Sequence, residues 1–411
     1  MQSSNNTMSR RMFLKAASLP LAATAGVGLL ASSGTFASQA IEGARGQAKI
    51  AKVEAFAVPR AIYAKITDDA GNVGWGECGH DGSKLVVGVV QEYLAKLLIG
   101  EDVFNTEPLW ANQFHEVDEI GRGGAATQAM AGIDCALWDL RGKLLGLPVY
   151  KLIGGKFREK FPLYGSFSRS KGRGEYRSPK ECAEKAEELM SEGFKAIKLR
   201  LGIREENQDP FDDPARACTK AVRDVIGDKV PLYIDANNGY SPARAIQIGK
   251  MLIEEFNVEV FEEPVAQYHY QSLAKVSEAL PMFIACGEHE YTKWQFRDLI
   301  LKGKANLLNP DVSKMAGITE GKKVAALAEA FDVPISVHNA RPTLLTAAHF
   351  HFIVSCQGAH RTQEHPGNRR LSELWKYFEN KIEVKDGWGQ VTEEPGLGLI
   401  VNEKAVRRDA M

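Results

Sequence analysis

From Phe161 onward the chain alternates short apolar runs with longer stretches whose apolar residues recur at helical spacing. The runs lie near 161–167, 194–200, 231–235, 258–262, 282–287, 305–309, 333–337 and 359–363. Helical segments such as 179–192, 214–226, 242–256 and 317–331 fill the gaps. Strands alternating with helices predict right-handed β-α-β units and a parallel sheet, and about eight such units close into a barrel.

The stretch before it reads differently. Residues 51–58 alternate, and 61–67 are joined through the Asp68-Asp69-Ala70-Gly71-Asn72 turn to 73–77, which predicts a three-strand meander. Helical stretches follow, the second over 125–145 and ending at Gly146-Leu147-Pro148. The expected organisation is an α+β domain over 48–165, a barrel domain over 166–385, and a Gly-rich segment over 386–411 that packs back on the first domain.

Three acidic residues close three successive apolar runs: Asp235, Glu262 and Glu288, spaced by 27 and 26 residues. One strand-plus-helix unit fills each interval, so a parallel barrel brings all three to one rim. Any one of them alone reads equally as the cap of the following helix. Three in phase repel unless a hard cation holds them, and oxygen ligands suit Mg2+. The series continues with Asp311 and His338, again 27 residues apart, and with Glu364 a further 26 on. Adjacent strands would set the Asp311 carboxylate against the His338 imidazole, fixing its tautomer and stabilising its charged form.

The composition is that of an ordinary globular protein, with 44% hydrophobic and 25% charged residues, and the net charge of −1 gives no electrostatic footprint for nucleic acid. Six cysteines show no C-x-x-C pair, which indicates neither a zinc site nor a disulfide framework. Residues 1–40 stand apart. Ser9-Arg10-Arg11-Met12-Phe13-Leu14-Lys15 resembles a twin-arginine export signal, and the apolar run 19–30 after it is too short to span a bilayer. The expectation is a protein exported folded to the periplasm or beyond, with no membrane attachment once the signal is cleaved.

These motifs together resemble the enolase superfamily, and within it the mandelate racemase subgroup. The likeness runs through Ile133-Asp134-Cys135-Ala136-Leu137-Trp138-Asp139-Leu140, Lys198-Leu199-Arg200, Asp235-Ala236-Asn237, Glu262-Glu263-Pro264, Gly287-Glu288, Asp311-Val312-Ser313-Lys314 and Ser336-Val337-His338. It implies a modified TIM-type barrel, (β/α)7β, under an α+β capping domain. It also implies Mg2+ held by Asp235, Glu262 and Glu288, removal of a proton next to a substrate carboxylate, and self-association.

Within that resemblance His338, oriented by Asp311, is the base. The subgroup usually carries Lys-x-Lys on the second strand, and here Lys198 is followed by Arg200, a poor proton acceptor and a good clamp for oxygens. That departure argues against a racemase, which needs a base on each face, and favours β-elimination of water from a sugar acid to give a 2-keto-3-deoxy product. Glu364 resembles the subgroup's carboxylic acid that hydrogen-bonds the intermediate, where a protonated carboxyl would donate. Asn237 stands where mannonate- and galactonate-type relatives carry an acid histidine. Asn237, Lys314 and His80 are the candidate substrate contacts, although a surface loop fits His80 equally. Glu263, on the opposite face of its strand from Glu262, is expected to be structural. So are His349 and His351 on their apolar helix. His269, His289 and Arg341 follow strand ends, where a structural role is the commoner one. Two other functions fit the pattern less well: an isomerase using Lys198 or Arg200 on the second face, and a sugar-acid binder without turnover.

Overall fold

A computed structural model describes residues 48–79, 83–172, 174–369, 371–382 and 384–411. The 1–40 segment and His80 therefore lie outside the described residues. No helix among those described is long and apolar enough to cross a membrane.

The N-terminal sheet is an antiparallel meander of Ile50–Val58, Ala61–Asp68 and Val73–Gly79. The helix Ala125–Leu145 lies on it at backbone contact distance, because Gly74 and Gly76 face the helix carbonyls of Ala136 and Gly132, where a Cβ would collide. Two acids of that helix are buried and fully engaged. Asp139 accepts from Trp75 N (2.9 Å), from Lys143 Nζ (2.6 Å) and from Leu397 N (2.8 Å). It thus pins the meander and the C-terminal segment to one helix. Asp134 accepts from the backbone and hydroxyl of Thr319, with Trp138 Nε1 donating to the same hydroxyl at 2.9 Å. The motif Ile133–Leu140 is in this respect a docking device, placing the cap on the barrel helix Ile318–Ala330.

The second sheet is mostly parallel and curled. Its strands are Phe161–Ser168, Ala196–Arg200, Leu232–Asp235, Val260–Glu262, Phe283–Cys286 and Leu307–Leu308, the first through sixth staves, and Gln363–His365, which pairs with the first. Helices Pro179–Ser191, Ala215–Ile226, Pro242–Phe256, Tyr270–Ala279, Lys293–Leu301, Ile318–Ala330 and Leu344–Val354 stand between them. Ser178, Ser241 and Thr292 cap three of these by accepting from a backbone N–H of the first turn. Inside the curl, Tyr164, Ala196, Tyr233, Val260, Ala285 and Leu307 form a separate buried layer beneath the rim.

The strand expected over 333–337 is reduced to a single bridge, Leu308 to Ile335, although Ser336 N and His338 N still donate to the carbonyls of Leu308 and Pro310. Toward the eighth stave a side chain substitutes for the ladder. Gln363 Oε1 accepts from Val337 N at 2.8 Å and its Nε2 donates to Ile335 O at 3.0 Å. Pro334 cannot donate, which weakens regular pairing here. The amide of Gln363 closes the seam just below His338.

All six cysteines are buried and free. The last helix, Glu403–Asp409, sits against the first meander strand, and Met411 N donates to Ala57 O at 2.9 Å. Asp139 holds two buried backbone donors and the half-buried Lys143 together, so Asp139→Ala should destabilise the protein by about 3 kcal/mol. The check is a fall in the chemical-denaturation midpoint with near-native circular dichroism below the transition.

Candidate active site

Successive staves of the curled sheet bring polar side chains together at their C-terminal ends. Asp235, Glu262 and Glu288 come from the third, fourth and fifth staves and are 0%, 1% and 7% exposed. One oxygen from each lies within 4.8 Å of the others. Glu288 Oε2 is buried with no hydrogen-bond partner, which is what a carboxylate awaiting a cation looks like. Burial pushes the Asp235 and Glu262 carboxyls up. It would raise Glu288 as well, but His338, Lys314 and Arg200 outweigh it and hold that group well below its ordinary value. An all-oxygen set crowded away from water fits a hard divalent cation.

Positive side chains flank this set on the second stave. Lys198 is fully buried, with Nζ 2.6 Å from Glu262 Oε1 and 3.3 Å from Glu364 Oε1. Burial would lower it, yet those carboxylates push it above its ordinary value. Arg200 Nη2 donates to Glu364 Oε1 at 2.9 Å, while Nε is 3.4 Å from Asp235 Oδ2 and makes no hydrogen bond. Glu364 also accepts from Asn339 N at 2.9 Å. Although burial raises it, Lys198 and Arg200 drive its carboxyl far below the usual range. Glu364 is thus an ionised acceptor that holds two cations in place, and the expectation of a protonated donor there does not hold.

Opposite stands the imidazole. His338 Nδ1 donates to Asp311 Oδ2 at 2.8 Å, and Asp311 Oδ1 is fixed by Ser313 N (2.8 Å) and Ser313 Oγ (2.7 Å). Burial works against Asp311, but the His338 contact brings it down to about 2. With Nδ1 committed, Nε2 is the free nitrogen. It points at the acidic rim, 3.4 Å from Glu288 Oε2 and 3.9 Å from Glu364 Oε2. A histidine so oriented can take a proton from a carbon lying over the rim.

The remaining candidates divide. Asn237 sits at φ 50, directing its Nδ2 onto Asp235 Oδ2 at 3.0 Å, so it orients a rim carboxylate from the cavity wall. Lys314 Nζ lies 3.9 Å from Glu288 and 3.4 Å from His289 Nδ1. His349 and His351 are structural, accepting from Val312 N and Tyr150 N. His269 precedes the helix Tyr270–Ala279 as its N-cap residue without capping it.

Glu263 requires a correction. Strand alternation placed it on the far face, but the strand stops at Glu262, and Glu263 turns back with φ 43. Its side chain is buried beside Asn238 Nδ2 (3.2 Å) and His289 Nε2 (3.6 Å), lining a cavity of about 300 Å³ with Arg200, Asn237 and Glu288. Sequence reading also missed Glu77 and Ser166. Glu77 Oε2 accepts from Thr343 Oγ1 and from Leu345 N, capping the helix after His338 from the cap domain. A Gly-Glu pair ending the last meander strand was the available signal for Glu77, and the inward phase shared with Tyr164 was that for Ser166.

A capped, curled β/α sheet with a carboxylate rim and an opposed Asp–His pair defines a class: enzymes that draw a proton from beside a cation-bound carboxylate. Comparison with known proteins narrows it. Residues 181–405 match the enolase C-terminal domain-like model, and residues 51–154 match the N-terminal domain model of mandelate racemase and muconate lactonizing enzyme. The chain belongs to the mandelate racemase/muconate lactonizing enzyme family.

Among its relatives, an arabinonate dehydratase of Saccharolobus solfataricus is 29% identical over 83% of this chain and 88% of its own. A D-galactonate dehydratase of Pectobacterium atrosepticum is 30% identical over 87% and 93%. A mandelate racemase/muconate lactonizing protein from Paracoccus denitrificans, solved with magnesium, superposes with a TM-score of 0.81 at 34% identity, covering 89% of this chain and 98% of that one.

If the acidic rim holds the cation, Glu288→Gln should weaken Mg2+ binding by about 100-fold or more, ligands mattering at least as much as the groups that orient them. Isothermal titration of the chelator-stripped protein reads this directly. Unchanged affinity would remove Glu288 from the ligand set.

Proposed function

We propose that the chain dehydrates a sugar acid, removing the proton beside the carboxylate and the hydroxyl one carbon further on. The observation that carries this reading is the asymmetry of the site: a base on one face and two cations locked to carboxylates on the other. His338 Nε2 is open to the rim, whereas Lys198 and Arg200 are tied to Glu262 and Glu364. A racemase or epimerase needs a second proton acceptor, and neither cation is free to become one. The dehydratases among the relatives support the same reaction class.

Asp235, Glu262 and Glu288 would hold Mg2+, which neutralises charge developing on the substrate carboxylate oxygens. Arg200 Nε, buried and unpartnered, is placed to donate to one of those oxygens. His338 takes the α-proton at Nε2, and Asp311 stabilises the imidazolium across the 2.8 Å contact. The same Nε2 proton then passes to the departing hydroxyl, water leaves, and the enol product tautomerises to the 2-keto-3-deoxy acid. A single imidazole thus handles both protons, and no histidine at position 237 is needed.

His338→Asn should lower kcat by about 100-fold to 10,000-fold while leaving Mg2+ affinity and the melting profile near those of the parent. Keto-acid formation from a panel of acid sugars, followed as the semicarbazone, is the assay. Turnover surviving in this variant would sink the mechanism.

We further propose export by the twin-arginine route, which carries folded proteins. The support is the Ser9–Lys15 sequence alone. Replacing Arg10 and Arg11 by Lys should leave the protein in the cytoplasmic fraction, and unchanged export would refute the route.

A further inference from the structure

A second cavity, of about 580 Å³, lies between the end of the first stave and the loop after the eighth. Ser166 forms part of its inner wall. That residue is 3% exposed, its hydroxyl lacks a partner of normal geometry, and it lies beside Glu364 and in register with Lys198. The cavity therefore begins one side chain from the acidic rim.

The charges on the wall are unevenly matched. Five cations and two carboxylates line it: Glu188 is paired with Lys185 and, at 3.5 Å, with Arg369, Lys171 is paired with Glu181 outside the lining, and Glu192 accepts from Asn368 N at 2.9 Å. Arg177 Nη1 donates only to neutral partners, the carbonyls of Ser168 (2.7 Å) and Ser170, and forms no ion pair among the described residues. Arg60, from the cap, meets only the exposed Glu373 at 3.8 Å. Such a surface contact contributes little.

Arg60 is nonetheless held firmly. It occupies the turn between the first two meander strands at φ 70, a conformation that costs a non-glycine residue energy. Its carbonyl accepts from Arg341 Nη1 at 2.6 Å. Arg341 is 5% exposed, lies in the field of Glu77, and follows His338 by three residues. A buried arm thus runs from the catalytic loop to the backbone that presents Arg60 at the cavity. This is much apparatus for a surface turn.

We propose that this cavity binds a second anionic group at the far end of the substrate, making a sugar diacid the preferred class, with Arg60 and Arg177 as its partners and Arg341 as the positioning residue. One carboxylate then lies on the metal rim and the other against the two arginines, with Ser166 bonding a hydroxyl between them. The proposal rests on the sugar-acid reading above and narrows it. A neutral polyol end would leave Arg177 without a charge partner and Arg60 with only its exposed contact to Glu373.

The test uses the mature, Mg2+-loaded protein and a panel of six-carbon sugar diacids, each paired with the monoacid of the same configuration. For the best pair, kcat/KM should favour the diacid by about tenfold or more, the scale of one charge-assisted hydrogen bond. Arg60→Gln should erase most of that ratio, chiefly through KM, and Arg60→Lys should restore part of it. The Arg60 side chain is 62% exposed, so neither change threatens the fold. Monoacids processed as well as diacids, or a ratio indifferent to Arg60→Gln, would overturn the proposal and leave dehydration standing. Thermal stabilisation by a diacid that Arg60→Gln abolishes, with no keto acid from any sugar, would uphold the cavity and overturn dehydration.

Discussion

Four carboxylates, Asp235, Glu262, Glu288 and Glu364, are packed into one almost waterless rim with two permanent cations, Lys198 and Arg200, among them. Among these six side chains alone, four carboxylates against two cations leave two negative charges, the complement of one divalent ion. Beside them stand Glu263, next to His289, and Asp311, bonded to His338, while Lys314 lies 3.9 Å from Glu288. Burying an unmatched pair of like charges is among the costliest things a fold can do. The rest of the barrel mouth makes sense as the means of tolerating it: Glu364 is sacrificed to fix Lys198 and Arg200, Asn237 adopts a left-handed backbone to bond Asp235, and the cation supplies the remainder.

The same economy governs how the cap meets the barrel. Asp134, Asp139 and Glu77 are buried, and each accepts from backbone N–H groups of another segment. Those contacts are directional, so they fix the relative placement of the two parts more sharply than the apolar packing around them, which tolerates sliding. Glu77 is the most consequential. By capping the helix Leu344–Val354 it anchors the chain immediately after His338, and so couples the position of the imidazole to that of the cap.

Much of this was legible in the chain because strand-plus-helix units have a steady length. Asp235, Glu262, Glu288, Asp311, His338 and Glu364 fall at one phase of that repeat, and the structure brings all of them to one rim. What the repeat could not express were departures from ideal backbone. Glu263 was put on the wrong face because alternation presumes the strand continues, and the left-handed turn at that residue ends it. The seventh stave lost its ladder to Pro334 and the side chain of Gln363, a substitution that no periodicity reveals. The protonation of Glu364 was misjudged for another reason: it depends on which cations lie within 3.3 Å, and those come from a stave far away in sequence.

Arginine at position 200 follows from this charge balance as much as from chemistry. A lysine there would sit among Glu364, Asp235 and Glu288 as a compact ammonium able to approach one or two oxygens. The planar guanidinium instead reaches Glu364 through Nη2 while turning Nε toward Asp235, spanning two staves at once. Anchored on Glu364 and with four carboxylates in its field, it holds its proton rather than delivering it. The residue that best stabilises the crowded rim is therefore also one that removes acid–base chemistry from that face. Proton traffic is left to His338, so the α-proton and the leaving hydroxyl must lie on the same side of the substrate. The stereochemistry of elimination is in this way set by the electrostatics that make the rim foldable.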